Sequence, residues 1–158
     1  MVKFPVPNGL RERARAGLVA AVSSFSEQWV EWGAVEYVYA RANPDDFAEL
    51  IRLRRGHRAQ TDRDGIPKHH WMASWYLSNQ VLRRSPDVRK KDGRRTSAWT
   101  RWESNGPISY WTMTWAQPTS EQQETWEMYC QQHLPPPAGI QRTVWDMDCM
   151  SYVPPGRP

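Results

Sequence analysis

Asn79, Gln80 and Arg83 stand close together in the run HHWMASWYLSNQVLRR, residues 69–84. Their side chains carry paired hydrogen-bonding groups: each amide sets a donor beside an acceptor, and the guanidinium is a planar fork of donors. Such pairs match the edges of adenine and guanine in a DNA major groove. Whether they act together depends on the backbone beneath them. In a helix each residue turns about 100° from the last, so positions three and four apart share a face. Counted this way, Lys68, His69, Met72, Tyr76, Asn79, Gln80 and Arg83 fall on one face. Trp71, Ser74, Trp75, Leu77, Ser78, Val81 and Leu82 fall on the other. The second face is core material, and the first asks for water or a polar partner. An ordinary solvated helix surface has the same pattern.

Other residue types that perform chemistry are sparsely placed. There is no glycine-rich phosphate loop, nucleophile elbow or paired-cysteine zinc spacing. Cys130 and His133 lie one helical turn apart and, with Cys149 and either His57 or His70, form the best metal candidate. A structural zinc site normally declares two close ligand pairs, so no metal and no cofactor are expected. Asp146 and Asp148 share one side of an expected strand and could bind a cation or share a proton. A solvated strand face is the plainer reading. His69 and His70 adjoin and would point to different faces of a helix. Nothing here argues for an enzyme.

The elements that must position these residues follow from spacing. Leu10, Ala14, Leu18, Ala21, Val22 and Phe25 predict a first helix with Asn8 as N-cap. Trp29, Trp32, Val35 and Tyr39 predict a second, although the aromatic and β-branched density there also suits a strand. Asn43, Pro44, Asp45 and Asp46 open a helix over 44–56, with proline at its first position and acids at the positive end of its dipole. The polar stretch HRAQTDRDGIP separates it from the helix over 68–84, which SPDVRKKDGRR ends with turn chemistry. RTSAWTRWESNGPISYWTMTWA reads as a hairpin turning at 104–107. Ala98, Thr100, Trp102, Trp111, Met113 and Trp115 form its core face, and Trp99, Arg101, Glu103, Ile108, Tyr110 and Thr112 its mixed one. A helix over 120–133, opened by a hydroxyl cap, and a short last strand through Trp145 complete an α+β fold.

At 158 residues the chain suits one domain. Thirteen prolines gather mainly toward the ends, and residues 1–7 and 154–158 are expected to be poorly ordered tails. No run of eighteen apolar residues and no secretion signal is present, and two cysteines are too few for a disulfide framework. A cytoplasmic setting without membrane contact is the expectation. Ten tryptophans should mostly fill the core, because a surface made of them would aggregate. The net charge of +4 hides a segregation: residues 52–95 hold thirteen Lys or Arg against four Asp, a balance of +9, while the rest of the chain carries −5. Clustering of this kind is the electrostatic footprint of a phosphate-binding surface, although a solvated basic face would look alike.

Helices, then a helix with a polar outer face, then a hairpin with basic flanks, over residues 28–116, resembles a winged helix-turn-helix domain. LSNQVLRRSPDVRKKDGRR, residues 77–95, carries the resemblance. In that family the helix before the wing lies in the major groove and the wing reaches phosphates or the minor groove. The resemblance implies that Tyr76, Asn79, Gln80 and Arg83 read bases and that Arg84, Arg89, Lys90, Lys91, Arg94 and Arg95 contact phosphates. Two features depart from the pattern: the linker before the helix is long, and the hairpin is rich in tryptophan. The hairpin would then be half of a small core sheet joined by the Trp145 strand, in an ordinary α+β domain.

Three functions compete. One is sequence-specific binding of double-stranded DNA, as in transcription regulation. A second is a small protein of the phage or mobile-element kind that binds and inhibits a host protein through exposed tryptophans. A third is a single-strand or RNA binder that stacks bases on Trp99 and Tyr110 beside Arg101. The oligomeric state is not written in the sequence.

Overall fold

The computed structural model describes residues 5–53, 68–93 and 108–133, and the two short strands Val144–Trp145 and Tyr152–Val153. The fold is α+β, as expected. In order the elements are α1 (Asn8–Ser23), β1 (Trp29–Glu31), α2 (Trp32–Ala42), α3 (Pro44–Arg52), α4 (Lys68–Tyr76), β2 (Val88–Gly93), β3 (Ile108–Met113), β4 (Gln123–Glu124), α5 (Trp126–His133), β5 (Val144–Trp145) and β6 (Tyr152–Val153). One sheet has the order β2-β3-β1-β4, and among the described residues β5 pairs with β6 alone. The alternative in which the Trp145 strand joins the hairpin's sheet is therefore not realised.

The first helix forms where its apolar spacing predicts it. Leu10, Ala14, Leu18, Ala21 and Val22 line its buried face. The N-cap position is held by Pro7 instead of Asn8, and Pro7 accepts the amide of Arg11 through its carbonyl at 3.0 Å. Gly17 lets α1 approach α2 closely: a Cβ there would lie 2.8 Å from the Tyr39 ring. Trp29 to Glu31, expected to be helical, form a strand. Val30 pairs with Trp111 on one side and Glu124 on the other, and that pairing overrides local helical spacing. Helix α3 begins at Pro44 as expected and stops at Arg52. Asn43 makes no side-chain cap and donates its amide back to the Tyr39 carbonyl at 3.1 Å.

The expected hairpin is corrected. The partner of β3 is Val88–Gly93, matched over six residue pairs from Val88–Met113 to Gly93–Ile108. The strand expected over 98–103 lies outside the described residues. A sequence as charged as VRKKDG reads as a loop, yet β2 is an edge strand, where charged side chains guard against unwanted pairing. The two faces expected of β3 are also corrected: Trp111 and Met113 are buried, but so are Tyr110 and Thr112, while Trp115 leaves the strand and is 62% exposed. The helix expected over 120–133 is shorter. Residues 119–122 close a turn, β4 follows, and α5 starts only after Thr125, whose hydroxyl accepts the Met128 amide at 3.1 Å.

One hydrophobic core joins α1, α2, α3, α4 and the inner face of the sheet, with Leu18, Val35, Phe47, Leu50, Leu77, Leu82, Trp111 and Trp126 among its most buried members. Rings fasten α5 to α2: Tyr37 lies 5.6 Å from Trp126 and 5.7 Å from Tyr129. Among the described residues no helix is long and apolar enough to cross a membrane.

Candidate nucleic-acid interface

The central element is the helix that starts as α4. Its α-helical hydrogen bonding gives way to a π turn at Leu77–Val81 and a 3-10 turn at Leu82–Arg84. Interruptions of this kind often occur at functional sites, because one extra residue per turn re-aims the side chains beyond it. The inner face is fixed by Ala73, Ser74, Leu77, Ser78, Val81 and Leu82, all buried. Ser74 accepts the indole N–H of Trp32 at 2.9 Å, which ties this helix to α2 across the core.

Two neighbours exchange the places expected for them. Tyr76 is buried, and its hydroxyl accepts the Arg11 Nε–H at 3.2 Å. Trp75 is 42% exposed. A tyrosine can turn its ring inward when its hydroxyl reaches a donor, and Arg11 on α1 supplies one. Tyr76 is therefore withdrawn from the set of base-reading candidates.

What remains outside is a ridge at four-residue spacing in which Trp75 and Arg83 are exposed and Asn79 between them is half-buried, with Met72 and Gln80 half-buried beside it. Asn79 is partly committed, since its Nδ2 donates to Ser78 Oγ at 3.0 Å and lies 3.3 Å from the Trp75 carbonyl. Those bonds must be exchanged if its amide is to read a base. Arg83 and Arg84 are exposed at the helix's C-terminal end, where positive charge also complements the dipole. The side chains of Lys68, His69, His70 and Trp71 lie outside the described residues.

Three residues, Ser85, Pro86 and Asp87, lead from the end of this helix at Arg84 into β2. The connection is pinned at its far end: Thr114 donates its amide to the Asp87 carbonyl at 2.8 Å and its hydroxyl to the Pro86 carbonyl at 2.7 Å. The exposed Trp115 follows Thr114, so its backbone runs beside the connection. Alternation along β2 then divides its cations. Lys90 and Asp92 share one side and form an ion pair at 3.2 Å. Arg89 and Lys91 share the other, both over the ring of Trp29, at 4.9 and 4.6 Å from its centroid. Arg89 also donates to the Ala116 carbonyl at 2.7 Å. Arg94 and Arg95, the remaining phosphate candidates, lie outside the described residues.

Among the described residues no group of three or more His, Cys, Asp or Glu could hold a metal ion. The Cys130 side chain, Cys149, Asp146 and Asp148 lie outside the described residues. Of the stacking pair, Tyr110 is buried at 2% exposure and Trp99 is outside the described residues, so the described sheet offers no Tyr110 platform for bases. Among the described residues three carboxylates are buried, Glu31, Glu36 and Glu124. Glu31 accepts the Trp126 amide at the first turn of α5, at 3.3 Å. Burial raises the carboxyl pKa of Glu124 above the ordinary value, and the nearby His133 partly opposes the shift.

Sequence reasoning missed Trp75 and Trp29. The four-residue spacing of Trp75, Asn79 and Arg83 was a signal for the first. No local signal could give the second, because β1 and β2 are distant in sequence and come within side-chain reach only by flanking β3. No family model matches the chain, and neither a curated protein nor a solved structure does.

Proposed function

We propose that this protein binds double-stranded DNA, with the helix over 68–84 in the major groove and cations of the hairpin on phosphates. The observation that carries the reading is continuity. Arg83 and Arg84, exposed at the end of the helix that carries Trp75, Asn79 and Gln80, are followed after Ser85, Pro86 and Asp87 by the strand bearing Arg89 and Lys91, and we take one ligand to span both. The order of helix and hairpin, and the balance of +9 over residues 52–95, support the winged-helix likeness. Asn79, Gln80 and Arg83 are the base readers, and Arg83 is the best placed because it is exposed. Arg84, Arg89 and Lys91 are the phosphate contacts, with Arg94 and Arg95 proposed beyond the described residues. Lys90, paired with Asp92, contributes least.

The test is duplex selection followed by substitution. Asn79→Ala, Gln80→Ala and Arg83→Ala should each relax base preference at a particular position of the selected site, by about 1–3 kcal/mol for a good bidentate contact. Uniform weakening on all sequences would contradict a reading role.

The exposure of Trp115 (62%) and Trp75 (42%) favours a second reading, a protein partner that receives these rings in pockets. Under it, Trp75→Ala and Trp115→Ala leave all duplex binding unchanged and the basic substitutions have no nucleic-acid phenotype.

A further inference from the structure

We infer that Trp29 is a positioning residue for phosphate recognition: its ring holds Arg89 and Lys91 as a pair that grips one stretch of the DNA backbone, while Lys90 takes no part. This deepens the DNA reading and rests on it. The two cations come from alternate positions of β2, so their stems leave the sheet about 7 Å apart on the same side. Both charged ends converge on one indole. Lys91 lies 6.0 Å from the Tyr110 ring as well. Gly93, two residues on and on the same side, lets Tyr110 sit against the strand, since a Cβ there would lie 2.9 Å from its ring.

Two like charges gathered over one ring repel each other, and no Asp or Glu among the described residues makes a salt bridge to either. The indole quadrupole offsets part of that repulsion, and an anion placed between the cations would offset the rest. Trp29 is only 6% exposed, so it acts from beneath and offers little surface to a ligand. The Ala116 carbonyl fixes one side of the Arg89 guanidinium and leaves its other donors for a phosphate oxygen. Lys90 faces the opposite way and is neutralised by Asp92. The three cations of β2 thus separate into a presented pair, Arg89 and Lys91, and an ion pair, Lys90 with Asp92.

The experiment measures binding of a short mixed-sequence duplex across a series of salt concentrations. The protein is compared with Arg89→Gln, Lys91→Gln, Lys90→Gln, Trp29→Met and Trp29→Phe, each checked for folding by thermal melting. Arg89→Gln and Lys91→Gln should each lower the salt slope by about one, and Lys90→Gln should leave it unchanged. Trp29→Met keeps both charges and apolar bulk, yet should lose slope and affinity, and Trp29→Phe should restore them because a ring is present. Equal losses from Lys90→Gln and Arg89→Gln, or a folded Trp29→Met with unaltered slope, would overturn the inference while leaving DNA binding intact. If Trp29→Met does not fold, the contrast between the two faces of β2 decides. A protein that binds no duplex at low salt overturns both this inference and the reading beneath it.

Discussion

Tyr76 and Trp75 adjoin in the chain and end on opposite sides of the surface, and their substitutions should separate stability from binding. Tyr76→Phe removes the acceptor for Arg11 and should cost about 1 kcal/mol in thermal or denaturant unfolding while leaving DNA affinity unchanged. Trp75→Ala removes an exposed ring and should weaken duplex binding with little change in stability. Glu124 gives a pH prediction. Its folded carboxyl pKa lies above the unfolded value, so the folded state binds more protons between the two values and stability falls as pH rises through that window. Glu124→Gln, which never ionises, should be more stable than the parent at neutral pH and should flatten the slope in the mildly acidic range. Urea unfolding of both proteins across pH would show it, and parallel curves would contradict it. The exchange of Tyr76 and Trp75 was not legible in the sequence, because helical periodicity ranks side chains by type and cannot see the Arg11 donor waiting on α1.

Elements whose stability is local could be read directly. Helix α1, with its regular apolar face, and the start of α3 at Pro44 fall where spacing and helix-opening chemistry place them. Elements made by distant partners could not. Trp29 to Glu31 become a strand because β3 and β4 lie on either side, and Val88–Gly93 becomes one because six consecutive residues of β3 pair with it. The candidate site shares this division: helical spacing groups Asn79, Gln80 and Arg83 on one side but puts Trp75 inward and Tyr76 outward, and the Trp29 support under Arg89 and Lys91 exists only once the sheet is assembled. Contacts between elements set two further expectations. Ser74→Ala leaves the buried Trp32 indole N–H without its partner and should cost about 1–3 kcal/mol in unfolding free energy. Gly17→Ala forces the Tyr39 ring away from α1 and should be destabilising by about 1–3 kcal/mol, although alanine is the better helix former. A more stable Gly17→Ala protein would contradict the close approach of α1 and α2.

Across the whole molecule, most of the positive charge lies in residues 52–95, and among the described residues the fold carries Arg83 and Arg84 at the end of a helix and Arg89, Lys90 and Lys91 on the strand that follows. The core joins α1, α2, α3, α4 and the inner face of the sheet, while Trp75, Arg83, Arg84 and Arg89 are exposed. The central claim is that the partner is duplex DNA. The most direct test is the salt dependence of binding by the purified protein to duplex DNA, with single-stranded DNA and RNA of the same sequence as competitors. The account predicts preferential duplex binding whose affinity falls steeply and linearly, on logarithmic axes, as salt rises. An absence of duplex binding at low salt, or a preference for either competitor, would contradict it.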